Sequence, residues 1–224
     1  MIGIIIQARM GSSRLPGKVL KKIGDKALLD HILFRLSYLR HSVTIVIATS
    51  TLSKDDVMVD FCRERDITCF RGSEEHVLER YYLCAKQFGF KNIVRLTADN
   101  PFTDIDELDR LIEFHGQANA DYSHSFQMLP VGVGAEMFSF EALEKSYQYG
   151  MEPHHIEHVN EYILDHLQDF QVAVLTVPQQ KNRPDLRLTV DTSADYAKAC
   201  YIVETCKHDY VTTEEAIQLC LQYA

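Results

Sequence analysis

The chain has 224 residues, 46% of them hydrophobic and 25% charged, with a formal net charge of -9. That length and composition support a sizeable buried core in one domain. The acidic balance argues against non-specific nucleic-acid binding, which calls for a basic surface. No run of about 18 apolar residues is present, so no membrane span is expected. The N-terminus lacks a basic leader and a small-residue cleavage site, so a cytoplasmic protein is expected. Six cysteines (Cys62, Cys69, Cys84, Cys200, Cys206 and Cys220) lie scattered without a CxxC pair and read as free thiols.

Taken in chain order, residues 2–6 and 43–48 are short, β-branched, apolar runs of the kind buried on both faces of a sheet. Between them Leu28, Leu29, Ile32, Leu33, Leu36 and Leu39 recur at helical spacing. A helix is expected over residues 56–64, a strand over 67–70, a helix over 75–88, a strand over 92–96 and a helix over 105–114. This alternation predicts a mainly parallel central sheet flanked by helices, an α/β fold. After residue 120 the pattern changes. Strands are expected at 121–125 and 131–138, helices at 141–147 and 153–167, and strands at 170–177 and 186–190. Helices close the chain near 194–206 and 213–221. No linker interrupts residues 1–224, so a single domain is expected, with residues 120–180 as a side element.

Four segments carry candidate chemistry. The first, QARMGSSRLPGK at residues 7–18, joins a buried strand to a helical region. It holds two glycines and three cations, Arg9, Arg14 and Lys18. Glycine permits close backbone approach, successive N–H groups can form an anion nest, and the cations suit phosphate. Gly11 and Gly17 are spaced wrongly for Walker A, and Val19 stands where its hydroxyl belongs. Against a surface turn, the position after an N-terminal strand favours a ligand site. The second segment, RLTADNPFTD at 95–104, places Asp99 beyond a strand, either as a Mg²⁺ ligand or in a turn. Its Asp104 and Asp106 spell DxD at a helix start, where capping is the better reading. The third, LRLTVDT at 186–192, ends in Asp191, which reads as a partner of Asp99 at a metal or as a helix cap together with Thr192. In the fourth, His154, Glu157 and His158 match the H-x-x-E-H metalloprotease pattern, but a helix surface with polar packing is the better reading, and a substrate-side role the next.

Together these segments resemble the cytidylyltransferase family that includes acylneuraminate and 3-deoxy-manno-octulosonate cytidylyltransferases, and within it the branch named for the spore coat polysaccharide biosynthesis protein SpsF. The resembling blocks are IIQARMGSSRLPGKVL at 5–20, ATSTLSKDD at 48–56, FRGSEEHVLERYY at 70–82, RLTADNPFTD at 95–104, EMFSFEALE at 136–144, EHVNEYI at 157–163 and LRLTVDTSADY at 186–196. The resemblance implies a nucleotidyltransferase fold of the glycosyltransferase-A type. It implies an enzyme transferring CMP from CTP to a sugar acid or related carbohydrate metabolite, with Mg²⁺ as cofactor and pyrophosphate as product, for surface polysaccharide synthesis. It implies catalytic roles for Arg9, Lys18, Asp99 and Asp191, with Asp99 and Asp191 as metal ligands. Ala8, Gly11, Ser12, Arg14, Arg71, Ser73 and Arg80 would bind the nucleotide. Residues 120–180 would face the acceptor, and a homodimer is possible through residues 138–149. The chain departs from the branch at Ala98 and Asn100 around Asp99, at Gly134, and at Ile156, the last two in the acceptor half. Other expectations compatible with the residues are a different nucleoside triphosphate, a phosphonate-type acceptor, or a non-catalytic nucleotide-binding protein.

Overall fold

A computed structural model describes every residue except Lys207 and Ala224. The chain runs β1 (Ile2–Gln7), β2 (Lys22–Ile23), β3 (Lys26–Ala27), α1 (Leu28–Leu36), β4 (Thr44–Ser50), α2 (Asp56–Glu64), β5 (Thr68–Gly72), α3 (Val77–Phe88), β6 (Asn92–Thr97) and α4 (Ile105–Gln117). There follow β7 (Tyr122–His124), β8 (Glu136–Ser139), α5 (Phe140–Tyr149), α6 (Pro153–Glu157), α7 (Glu161–Asp165), β9 (Val172–Val174), α8 (Ser193–Thr205) and α9 (Thr213–Gln222). Seven strands form one sheet in the order β5-β4-β1-β6-β8-β7-β9. Pairing is parallel from β5 to β6, and β8 alone runs against its neighbours. The strands β2 and β3 form a separate two-stranded ribbon that the alternation did not indicate.

Each face of the sheet carries its own core, because central strands alternate apolar side chains to both sides. Ile4, Ile6, Val94 and Leu96 face one core with Leu28, Ile32, Leu108 and Ile202. Ile5, Ile93 and Phe138 face the other with Leu78, Tyr81 and Leu143 from α3 and α5. Residues 138–149 are therefore bound into the sheet and a core-facing helix, with Ala142, Leu143 and Ser146 buried. All six cysteines are free thiols.

The strands expected over 131–138 and 170–177 shorten to Glu136–Ser139 and Val172–Val174, and two further elements differ outright. Residues 186–190 do not join the sheet; they make a single bridge, Val131 to Arg187. The carbonyl of Val131 accepts from the amides of Leu188 and Thr189, while Pro130 and Gly132 on either side stop a longer ladder. The helix expected over 153–167 is broken after Glu157, where His158 adopts an extended backbone, and resumes at Glu161.

Candidate functional site

The carboxyl ends of β1, β4 and β6 open on one edge of the sheet, the usual ligand edge of α/β folds. There a cavity of about 410 Å³ is lined by residues of the 7–18 loop, by Arg95 to Asp99, by Glu157 and His158, and by Asp191. The loop leaves β1 with Ala8, whose amide donates to the Ala48 carbonyl at 3.1 Å. Met10 N–H then donates to the buried Asp55 carboxylate at 2.7 Å, pinning the loop between β4 and α2. Gly17 turns it back in the left-handed region, at φ 67°, where a side chain would be strained. Between these anchors, the amides of Gly11, Ser12, Ser13 and Arg14 have no hydrogen-bond partner among the described residues. These four successive amides, without a protein partner, lie in the segment where the sequence leads us to expect an anion-binding nest.

At the loop's end Lys18 enters the cavity floor. Its Nζ donates to Asp99 Oδ2 at 2.8 Å, to Asp191 Oδ1 at 2.8 Å and to the Val190 carbonyl at 3.0 Å. Asp99 and Asp191, distant in sequence, are thus brought together by one ammonium. Their backbones also lock directly, since Val190 N–H donates to the Asp99 carbonyl at 2.8 Å. Thr97 Oγ1 orients Asp99 from behind at 2.5 Å. Thr192, not Asp191, caps α8, accepting from Asp195 N–H at 3.2 Å and leaving the Asp191 carboxylate free for the cavity. Arg14 at 3.1 Å and Arg187 complete its surroundings. Burial pushes the Asp191 carboxyl up, but Lys18, Arg14 and Arg187 outweigh it and hold it below the ordinary carboxylate range.

The remaining expected residues divide by position. Arg9 lines the cavity, its Nη1 donating to the Glu74 carbonyl at 2.7 Å. Arg71 spans the ends of β4 and β5, donating to the Ser50 and Leu52 carbonyls and pairing with Asp56 at 2.8 Å. Ser73 Oγ accepts from His76 N–H at 3.0 Å. Arg80 is fully buried beneath the turn at 73–74, donating to the Ser73 carbonyl. Arg71, Ser73 and Arg80 lie around the β5–α3 connection, on the Glu74 side of Arg9, next to the residues that line the cavity. Asp104 caps α4, accepting from Glu107 N–H at 3.0 Å, so the DxD pair has a helix-start role. The H-x-x-E-H residues part company: His154 and His155 both reach Asp165, at 2.8 and 2.9 Å, while Glu157 and His158 turn to the cavity. Arg95 and Gln7, given no separate role from sequence, line the cavity as well. Their signal was an arginine and a glutamine placed within otherwise apolar strands.

The fold and site define a nucleotidyltransferase: a mainly parallel sheet with a phosphate-suited loop and paired aspartates at its ligand edge. A solved CMP:2-keto-3-deoxy-manno-octonic acid synthetase complexed with CTP shares this fold, with TM-score 0.69 at 16% identity, covering 91% of this chain and 98% of that one. The chain matches the cytidylyltransferase family over residues 3–220, and it belongs to that family. It is 39% identical to the spore coat polysaccharide biosynthesis protein SpsF of Bacillus subtilis over 204 residues, 88% of this chain and 85% of that one. A solved cytidylyltransferase from Leptospira borgpetersenii superposes with TM-score 0.90 at 29% identity, covering 99% of this chain and 94% of that one.

Proposed function

We propose that the protein transfers CMP from CTP to a sugar acid or related carbohydrate metabolite, releasing pyrophosphate, in surface polysaccharide synthesis. The observation that carries this reading is the meeting of Lys18, Asp99 and Asp191 beneath four unpartnered loop amides. Family membership and the CTP complex of the structural neighbour support cytidine as the base. The loop amides of residues 11–14, with Arg9 and Arg14, hold the triphosphate and stabilise the leaving pyrophosphate. The acceptor's hydroxyl oxygen bonds to the α-phosphorus as the bond to the β-phosphate oxygen breaks, and the hydroxyl proton passes to solvent. Positioning and charge neutralisation are the protein's main tasks in such a transfer.

Asp99 and Asp191 fit a Mg²⁺ ion in their chemistry. They offer hard carboxylate oxygens, each 2.8 Å from one shared cation, the Lys18 ammonium. Mg²⁺ is commonly held by one or two carboxylates together with substrate phosphates. When bound there, the ion supplies Lewis-acid polarisation of the α-phosphate. Asp99 and Asp191 would hold the ion, Lys18 would supply positive charge beside it, and Thr97 would keep Asp99 oriented.

The test is pyrophosphate release with CTP, UTP, ATP or GTP against a panel of sugar acids, for wild type and Asp99→Asn. CTP is expected to be preferred, and Asp99→Asn to lose at least about two orders of magnitude in rate, the scale of one key transition-state contact. Near-normal turnover by that variant removes Asp99 from the machinery. Preference for another nucleotide overturns the CTP assignment.

A further inference from the structure

Outside the cavity, two imidazoles and a carboxylate meet between α6 and α7. His154 Nε2 lies 2.8 Å from Asp165 Oδ2, and His155 Nε2 lies 2.9 Å from the same oxygen. One ligand atom from each of the three residues lies within 4.8 Å of the other two. The helix break after Glu157 creates this meeting. An unbroken helix would set Asp165 about 16 Å along the axis from His154. Instead the extended backbone at His158 lets α7 fold back beside α6.

His155 is the fixed member, its side chain 5% exposed. Tyr162 packs edge-on against its ring at 5.4 Å, and His166 stacks on Tyr162 at 4.3 Å. His166 is tied in turn through Nδ1 to the Tyr162 carbonyl at 2.8 Å. His154 and Asp165 are the adjustable members, each about half exposed. Hydrogen bonds from both rings hold the Asp165 carboxyl below the ordinary carboxylate range, so it stays ionised.

Two ring nitrogens and a carboxylate oxygen are the donor set of a three-ligand zinc site, which keeps a fourth position for water. Zinc bonds of about 2.0–2.2 Å in tetrahedral geometry set the donors about 3.3 Å apart. The spacings of 2.8 and 2.9 Å fall short of that by about half an ångström, a movement open to the exposed side chains of His154 and Asp165. The ion takes the place of the Nε2 protons. Beyond the two His–Asp bonds, what is given up is the 3.4 Å contact from Glu152 N–H to His155 Nδ1. Imidazole nitrogen favours Zn²⁺ and its transition-metal neighbours, whereas Mg²⁺ takes oxygen ligands.

We propose that His154, His155 and Asp165 bind a divalent ion of the zinc class that staples α6 to α7. Each of these helices has five residues, too few to be stable alone. Glu157 ends α6 and His158 follows it; both line the cavity, and His158 N–H donates to the His154 carbonyl at 2.8 Å. The ion therefore steadies the cavity wall from outside, without touching substrate.

The experiment titrates ZnCl₂ into the untagged full chain by calorimetry and records the absorption of the Co²⁺-loaded protein. Wild type should bind one tight equivalent, with the visible bands of tetrahedral Co²⁺ and no sulfur-to-metal charge transfer. The missing sulfur band separates this site from Cys206, His208 and Glu215, the other such cluster among the described residues. His154→Ala and Asp165→Asn should each weaken binding at least about tenfold, while Cys206→Ser and Asp99→Asn stay within about twofold of wild type. Zn²⁺ at about a hundred times its Kd should raise the wild type's folding equilibrium about a hundredfold, and its Tm with it, and do much less for the two ligand variants. No Zn²⁺ binding by wild type, a sulfur charge-transfer band, unchanged affinity in the ligand variants or an equal loss in Asp99→Asn overturns the assignment. Melting without metal checks that each variant folds. Should one of them fail, the other and the wild-type Co²⁺ spectrum still decide.

Discussion

Replacing Lys18 by methionine keeps the shape of the side chain and removes the charge that joins the two halves of the site. Three hydrogen bonds vanish, two of them to carboxylates at 2.8 Å. Bonds to charged groups contribute roughly 1.5–3 kcal/mol each, but stripping a fully buried charge of its partner costs only about 3–5 kcal/mol in total. Asp99 and Asp191 keep 24% and 18% of their side-chain surface exposed, so water recovers part of the loss. A net cost of about 3 kcal/mol follows, or on the order of 6–12 °C in Tm for a domain of this size. Mg²⁺ should reverse part of it. In the wild type the ammonium competes for the two carboxylates; in Lys18→Met it does not, so added Mg²⁺ should raise the variant's Tm more than the wild type's. Acid should narrow the difference. The folded-state pKa of Asp191 is depressed, so its contribution is present above the unfolded carboxylate value near 4 and is lost as pH falls through the folded value. The assay is calorimetric melting of both proteins at pH 7 and pH 3.5, with and without Mg²⁺. Coincident melting at pH 7, or equal Mg²⁺ shifts, would refute the reasoning.

Two further outcomes are expected. Gly132 has φ 92°, and a Cβ there would lie 2.6 Å from Thr189 N and 2.8 Å from Asn100 Oδ1. Gly132→Ala should therefore lose about 1–3 kcal/mol and weaken Mg-CTP binding by shifting the 186–190 segment that carries Asp191; wild-type affinity by calorimetry would count against this coupling. His115 is buried against Ser123 Oγ at 2.8 Å, and desolvation, only partly opposed by Asp121, lowers its pKa to about 4. The unfolded chain takes up that proton near pH 6.5 and the folded protein does not, so stability should fall between about pH 6.5 and 4 with a limiting slope of about 1.4 kcal/mol per unit. Urea unfolding at pH 7, 6 and 5 should show a shallower decline in His115→Gln, and parallel declines would remove His115 as a source.

Strand runs such as residues 2–6 and 45–48 announce themselves because both their faces are buried, which leaves little room for polar residues. The loop at 7–18 is legible for a related reason: glycines and cations gathered directly after a buried strand have few structural explanations. Asp191 shows where such reading stops. Its segment looks like a strand, but Pro130 and Gly132 deny it a partner edge, so it docks on Val131 and Asp99 through a few backbone bonds. Arg71, Ser73 and Arg80 sit in a family-like block, and the structure adds their backbone partners: the Ser50 carbonyl for Arg71, His76 N–H for Ser73 and the Ser73 carbonyl for Arg80.

From the sequence alone follow the α/β class, the phosphate-suited loop and the pair of aspartates, because periodicity and local composition are properties of neighbouring residues. Only the tertiary structure decides that Lys18 lies between Asp99 and Asp191, and that Arg95 pairs with the buried Glu136. Those are contacts between residues 41 to 173 positions apart. Strand register and loop docking create them, and no local pattern in the chain records either.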